Sequence, residues 1–93
     1  MKISHRFSGY REAKNLILQK LDGKLVGFDV DRSFLYTFNE TAEFIFKKIR
    51  AQWTEERIVK ALGKKYEVSA TKLKQDVKQA IKDMVKNKII LVQ

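Results

Sequence analysis

Ninety-three residues, 44% hydrophobic and 33% charged, suit one globular domain over residues 1–93 and leave too little chain to wrap a deep substrate cleft as well as a core. The chain has no cysteine, which excludes disulfides, thiolate metal sites and cysteine catalysis, and no apolar run near the roughly 20 residues of a bilayer span, so a cytoplasmic protein without a membrane partner is expected. Twenty Lys and Arg against eleven Asp and Glu leave a net charge of +9, which suits a polyanion or an acidic peptide, or simply keeps a small domain soluble.

The opening "MKISHRFSGYRE" is basic and lacks the apolar centre of a signal peptide, and residues 1–12 are expected to be a mobile start. Three strands follow, near Lys14–Leu21, Lys24–Val30 and Phe34–Phe38, because apolar runs are interrupted at Asp22-Gly23 and again at Asp31-Arg32-Ser33. Asp-Gly supplies the positive φ of a type I′ hairpin turn, so an antiparallel meander is predicted. Alternation puts Val26, Phe28 and Val30 on one face of the second strand. Phe34, Tyr36 and Phe38 share a face of the third, with Leu35 and Thr37 on the other. Gly27 reads as a tolerated interruption rather than a bulge or a close backbone approach.

In "FLYTFNETAEFIFKKI" the period then changes from that of a strand to that of a helix. Asn39 is suited to cap the helix, Glu40 and Glu43 to sit at the positive end of its dipole, and Ala42, Ile45, Phe46 and Ile49 to form one buried face. Phe44 points away from that stripe, either packing on the sheet or a later helix, the preferred reading, or making an exposed contact. Thr54 caps a second helix that buries Ile58, Val59, Leu62 and Tyr66. A third, capped by Ser69 or Thr71 and ending near Asn87, carries the stripe Leu73, Val77, Ala80, Ile81, Met84 and Val85. Residues 89–92 form a short strand or an extended tail. The fold class is α+β, an N-terminal three-stranded antiparallel sheet followed by three helices.

Catalytic and metal sites are not assembled by these residues. Asp29 and Asp31 flank a turn without a His, Cys or further carboxylate at ligand spacing, and His5 is a lone histidine in the N-terminal segment. Four scattered glycines match no phosphate loop or dinucleotide fingerprint, so no cofactor is expected. Two features point to binding instead. Lys74, Lys78, Lys82 and Lys86, four apart, stack along one side of the third helix, able to track phosphates or acidic side chains, or simply to face solvent. The third strand is a sheet edge able to pair with a visiting peptide, unless the N-terminal segment with Phe7 and Tyr10 covers it.

From Asp22 to Leu91 the chain resembles the family of the pyrroloquinoline quinone biosynthesis protein PqqD, the precursor-peptide recognition element of ribosomally made, modified peptides. The resemblance lies in the Asp22-Gly23 hairpin, Phe38-Asn39 followed by Thr41-Ala42 at the strand-to-helix junction, and "T-E-E-x-I" from Thr54. It continues in "LKQDVKQAIKDMV", with Asp76-Val77 where the family commonly has Asp-Val, and then Ile89-Ile90. Asn87-Lys88 stands where the family usually has a glycine, and the charge exceeds what the resemblance requires. The resemblance implies a winged-helix-related fold that binds the leader segment of a precursor peptide as an added strand between the third strand and the third helix. By that mapping Leu35, Tyr36 and Thr37 offer the pairing edge, and Asp76, Val77 and Ala80 line the opposite wall with Lys72 at the rim. A shift of one flank would replace the wall with Lys74 and Lys78. The domain implied is not an enzyme; it would present the leader to a separate modifying enzyme such as a radical SAM enzyme, a cyclase or a protease.

The main alternative is a winged-helix DNA-binding protein with its lysine row on phosphate. The strands precede the helices, whereas a wing follows its recognition helix, and the third helix has no arginine to read guanine edges. A further alternative is an adaptor that docks through Phe44.

Overall fold

The computed structural model describes residues 9–92, and the sequence readings of His5 and Phe7 fall outside them. The elements in chain order are β1 (Tyr10–Glu12), β2 (Leu16–Leu21), β3 (Lys24–Asp29), β4 (Phe34–Thr37), α1 (Glu40–Arg50), α2 (Glu55–Lys65), α3 (Ala70–Lys86) and β5 (Ile90–Val92). The class is α+β, and β2, β3 and β4 form the expected three-stranded antiparallel sheet in sequence order.

Two further strands make a separate ladder: β1 pairs antiparallel with β5, Tyr10 opposite Val92 and Glu12 opposite Ile90. Residues Tyr10–Glu12, within the segment expected to be a mobile start, therefore form a strand. They are held by that ladder, by an Arg50 to Glu12 ion pair of 3.1 Å, and by the Ala13 N–H donating to the Ile89 carbonyl at 3.0 Å. The same pairing makes Ile90–Val92 a strand rather than an extended tail.

Local chemistry explains the turns. Asp22 and Gly23 both take positive φ, 51° and 80°, as a type I′ hairpin requires. In the next turn the Asp29 carboxylate is buried and accepts from the Arg32 N–H at 3.1 Å and from Arg32 Nε at 2.9 Å. The Arg32 side-chain hydrogen bond is the main reason its carboxyl lies below the usual carboxylate range. Arg32 also donates to the Asn87 carbonyl, which ties this turn to the exit of α3. Gly27 is a close approach, not a tolerated gap: a Cβ there would stand 3.2 Å from Leu16 Cδ1 and 3.4 Å from side-chain atoms of Leu18 and Phe38.

Each helix is capped by a side chain. Asn39 Oδ1 accepts from the Ala42 N–H at 2.7 Å, Thr54 Oγ1 from Arg57 N–H at 3.2 Å, and Ser69, rather than Thr71, from Lys72 N–H at 3.2 Å. Such a cap contributes about 1 kcal/mol. At the exit of α3, Ile89 N–H donates to Met84 O and Lys88 N–H to Val85 O, with Lys88 at φ 58°. These bonds make a Schellman turn whose left-handed position is Lys88, one residue after the Asn that tolerates that conformation best.

The core lies where these elements converge: Ile45, Phe46 and Ile49 of α1, Ile58 and Leu62 of α2, Val77 and Met84 of α3, and Ile89 and Ile90 are buried to 1% exposure or less. Phe38, the last residue before the Asn39 cap, is buried with its ring 4.9 Å from that of Phe46. The abrupt passage from strand to helix thus drives an aromatic anchor into the core, contributing about 1.5–3 kcal/mol. Phe44 packs against the core edge with the ammonium groups of Lys48 and Lys65 at 5.1 and 5.4 Å from its ring, joining α1 to the end of α2.

Candidate functional site

Among the described residues β4 pairs on one side only, with β3. Which of its backbone groups are left over follows from the ladder. The Phe38 N–H donates to the Leu25 carbonyl at 2.9 Å, and the register runs without a bulge through Thr37 opposite Val26 and Leu35 opposite Phe28. Antiparallel bonds alternate, so Phe38, Tyr36 and Phe34 bond inward to β3 while the N–H and C=O of Leu35 and Thr37 face away from it. The other hairpin agrees, since the Val30 N–H donates to Asn15 at 3.2 Å, which assigns the opposite set of β3 groups to β2. The pairing edge expected at Leu35, Tyr36 and Thr37 therefore has two parts: Leu35 and Thr37 present backbone, and Tyr36 presents its side chain on the inner face.

That inner face meets α3 across an open groove of about 450 Å³, lined by Tyr36, Asn39, Thr41 and Ala42 on one side and by Asp76, Gln79, Ala80 and Asp83 on the other. Tyr36 Oη donates to Asp83 Oδ2 at 2.9 Å. Burial first, and then the hydrogen bond and negative charge of Asp83, push the phenol above its ordinary pKa and hold it as a neutral donor. Lys72 Nζ reaches Asp76 Oδ1 at 2.7 Å. On a chain of net charge +9 this groove is locally acidic, with two carboxylates against one paired lysine.

The expected wall residues divide. Asp76 and Ala80 line the groove; Lys72 does not, and reaches it through Asp76. Val77 is fully buried and supports the wall from behind, because it sits in the middle of the stripe that packs on the core. Lys74 and Lys78 lie on the other flank, with Lys78 3.6 Å from Glu55 of α2. Leu35 points to the outer face in a cross-strand row with Phe28 and Ile17, all three exposed. Asp83 and Thr41 were missed. Asp83 falls seven residues after Asp76 on one flank of α3, a spacing that could have found it. Among the described residues no three His, Cys, Asp or Glu side chains gather to hold a metal ion, and no helix is long and apolar enough to cross a membrane.

A family model described as Coenzyme PQQ synthesis protein D (PqqD) matches residues 24–90, well over half of the chain. The chain belongs to the PqqD family. The match runs from the start of β3 to the start of β5, so this PqqD-family region contains β4, all three helices and the groove between β4 and α3. Among curated proteins none matches the chain by sequence. Two solved structures share its fold. A lasso peptide synthetase B1 complexed with the leader peptide superposes with a TM-score of 0.84 at 19% identity, covering 89% of this chain and 98% of that one. TbiB1 in complex with the TbiA(beta) leader peptide gives 0.78 at 12% identity, covering 86% and 93%.

Proposed function

We propose that this PqqD-family protein is a non-catalytic recognition domain that takes the leader segment of a ribosomal precursor peptide as a further strand on β4 and holds it for a separate modifying enzyme. The observation that carries the reading is the hydrogen-bonding edge of Leu35 and Thr37, unpaired among the described residues, beside the groove of α3. The similar folds solved with leader peptides support it.

On this reading the guest backbone bonds to Leu35 and Thr37, each bond contributing about 0.5–1.5 kcal/mol whatever the guest sequence. Alternate guest side chains then point to opposite faces, and the one that turns inward enters the space between Tyr36, Ala80 and Asp83. Asp76 and Asp83 select there against an anionic side chain. Lys72 stands at the rim and Val77 behind the wall. Binding of this kind draws on backbone and side chains alone and requires no cofactor. The domain's contribution to the chemistry is to raise the effective concentration of the precursor at an enzyme such as a radical SAM enzyme, a cyclase or a protease.

The test is a titration with a labelled leader from a neighbouring small open reading frame, and separately with duplex DNA, at about 50 mM and about 200 mM salt. Saturable leader binding at both salt concentrations is expected. DNA binding that collapses between them, with no response to the leader, would overturn the proposal in favour of a nucleic-acid-binding protein.

A further inference from the structure

The leader reading leaves the second flank of α3 unused. A groove of about 630 Å³ runs between the lysine row of α3 and the β1–β5 ladder. Lys78, Lys82 and Lys86 stand along it, and Tyr10, Val85 and Val92 contribute apolar surface. Val92, in β5 at the mouth of this groove, is 68% exposed, so its side chain adds aliphatic surface beside the lysines. Lys78 is engaged with Glu55, whereas no ion pair among the described residues involves Lys82 or Lys86. Lysines in no ion pair among the described residues, next to the exposed Val92 and the half-buried Val85 in a concavity, are complementary to one kind of guest: carboxylates interleaved with apolar side chains.

We propose that this groove docks a short acidic segment of a partner protein, its carboxylates meeting Lys82 and Lys86 and its aliphatic side chains covering Val85 and Val92. Lys78 to Lys86 spans about 12 Å of helix, the length of about four residues of extended chain. A nucleic acid fits less well. Its phosphates would satisfy the lysines but leave the exposed Val92 uncovered, and α3 has no arginine for base edges. The site is independent of the leader reading, because the two grooves flank the buried stripe of α3 on opposite sides and share only Gln79. Both can be filled at once.

The probe is a fluorescent peptide of about eight residues in which Leu alternates with Glu, compared with one carrying Ser for each Leu and with duplex DNA. The Leu-Glu peptide is expected to bind saturably and more tightly than the Ser-Glu peptide. Lys82→Glu with Lys86→Glu should weaken it by at least about tenfold, whereas Lys60→Glu with Lys64→Glu, the same charge change on α2, should weaken it less than about threefold. Val85→Asn should weaken it without altering net charge, and none of these changes should move leader affinity. Equal loss in both charge-reversed pairs, equal binding of the Ser-Glu peptide, or no binding at all overturns the proposal. Tighter binding of DNA, lost in the Lys82 and Lys86 variant, replaces it with a phosphate groove.

Discussion

The three-stranded sheet has two edges with the same backbone chemistry and opposite protection. At the β2 edge the free groups belong to Leu16, Leu18 and Lys20, by the alternation that assigns Asn15 to β3. Lys20 lies on the inner face of that edge and is fastened to Glu43 of α1 at 3.0 Å. An inward-pointing charge on an edge strand blocks a visiting strand, which would have to desolvate it. β4 reads Phe34-Leu35-Tyr36-Thr37, with no charge in the strand, and has α3 standing off across a groove as a second wall. One edge is defended and the other is furnished. On the proposed reading the contrast separates the two edges: openness is common to both, and the missing guard and facing wall are what suit β4 to a guest strand.

The sharpest way to break the comparison is to place proline on each edge. Thr37→Pro removes a free N–H and no ladder bond, so leader affinity should fall by at least about tenfold while stability changes by about 1 kcal/mol or less. Lys20→Pro removes the equivalent free N–H of β2 and should leave leader affinity within about twofold. Fluorescence titration measures the first effect and urea unfolding the second. Normal leader binding by the Thr37 variant, or equal loss in both, would show that β4 is not the docking edge.

The guard itself should titrate. Glu43 is a largely buried side chain that receives Lys47 at 2.8 Å and Lys20 at 3.0 Å, and these hydrogen bonds, Lys47 first, hold its carboxyl below the usual range. A depressed carboxylate contributes stability above its unfolded value, near pH 4.3, and loses it as pH falls through the folded value. Glu43→Gln should therefore cost about 0.5–1 kcal/mol at neutral pH, with solvent screening of the half-exposed lysines keeping it small, and should flatten the decline below about pH 4. Asp29 still titrates there, so part of the acid limb remains. Thermal melts across the acid range check this. An unchanged limb would mean that Lys20 guards β2 without Glu43.

Much of this arrangement was legible in the sequence because its determinants are local. Asp22-Gly23 dictates the hairpin, Asn39, Thr54 and Ser69 dictate helix starts, and the α3 stripe dictates which side faces the core. The β1–β5 ladder was not, since nothing in Tyr10–Glu12 marks a strand; its partner lies at the other end of the chain. At the candidate site the phase of α3 placed Asp76 and Ala80, but Val77 was assigned to the wall because helix phase alone does not say where a stripe stops being core. Gly27 depended on three side chains, two from β2 and one from the end of the sheet, none of them its neighbour in sequence.

A change that touches neither edge gives the smallest effect and a control on the rest. Lys88 holds the left-handed position of the turn that leads from α3 into β5, where a Cβ costs roughly 1–2 kcal/mol. Lys88→Gly relieves that cost but adds freedom to the unfolded chain, worth about 0.5–1 kcal/mol, so the net gain should be about 0.5 kcal/mol, a rise in Tm of about 2–4 °C. Leader affinity should not move, because the side chain lies beyond the groove and both Schellman bonds are kept. Should affinity change with stability, the exit turn would be setting the separation of α3 from β4. The two edges would then differ through the placement of the helix as well as through their own residues.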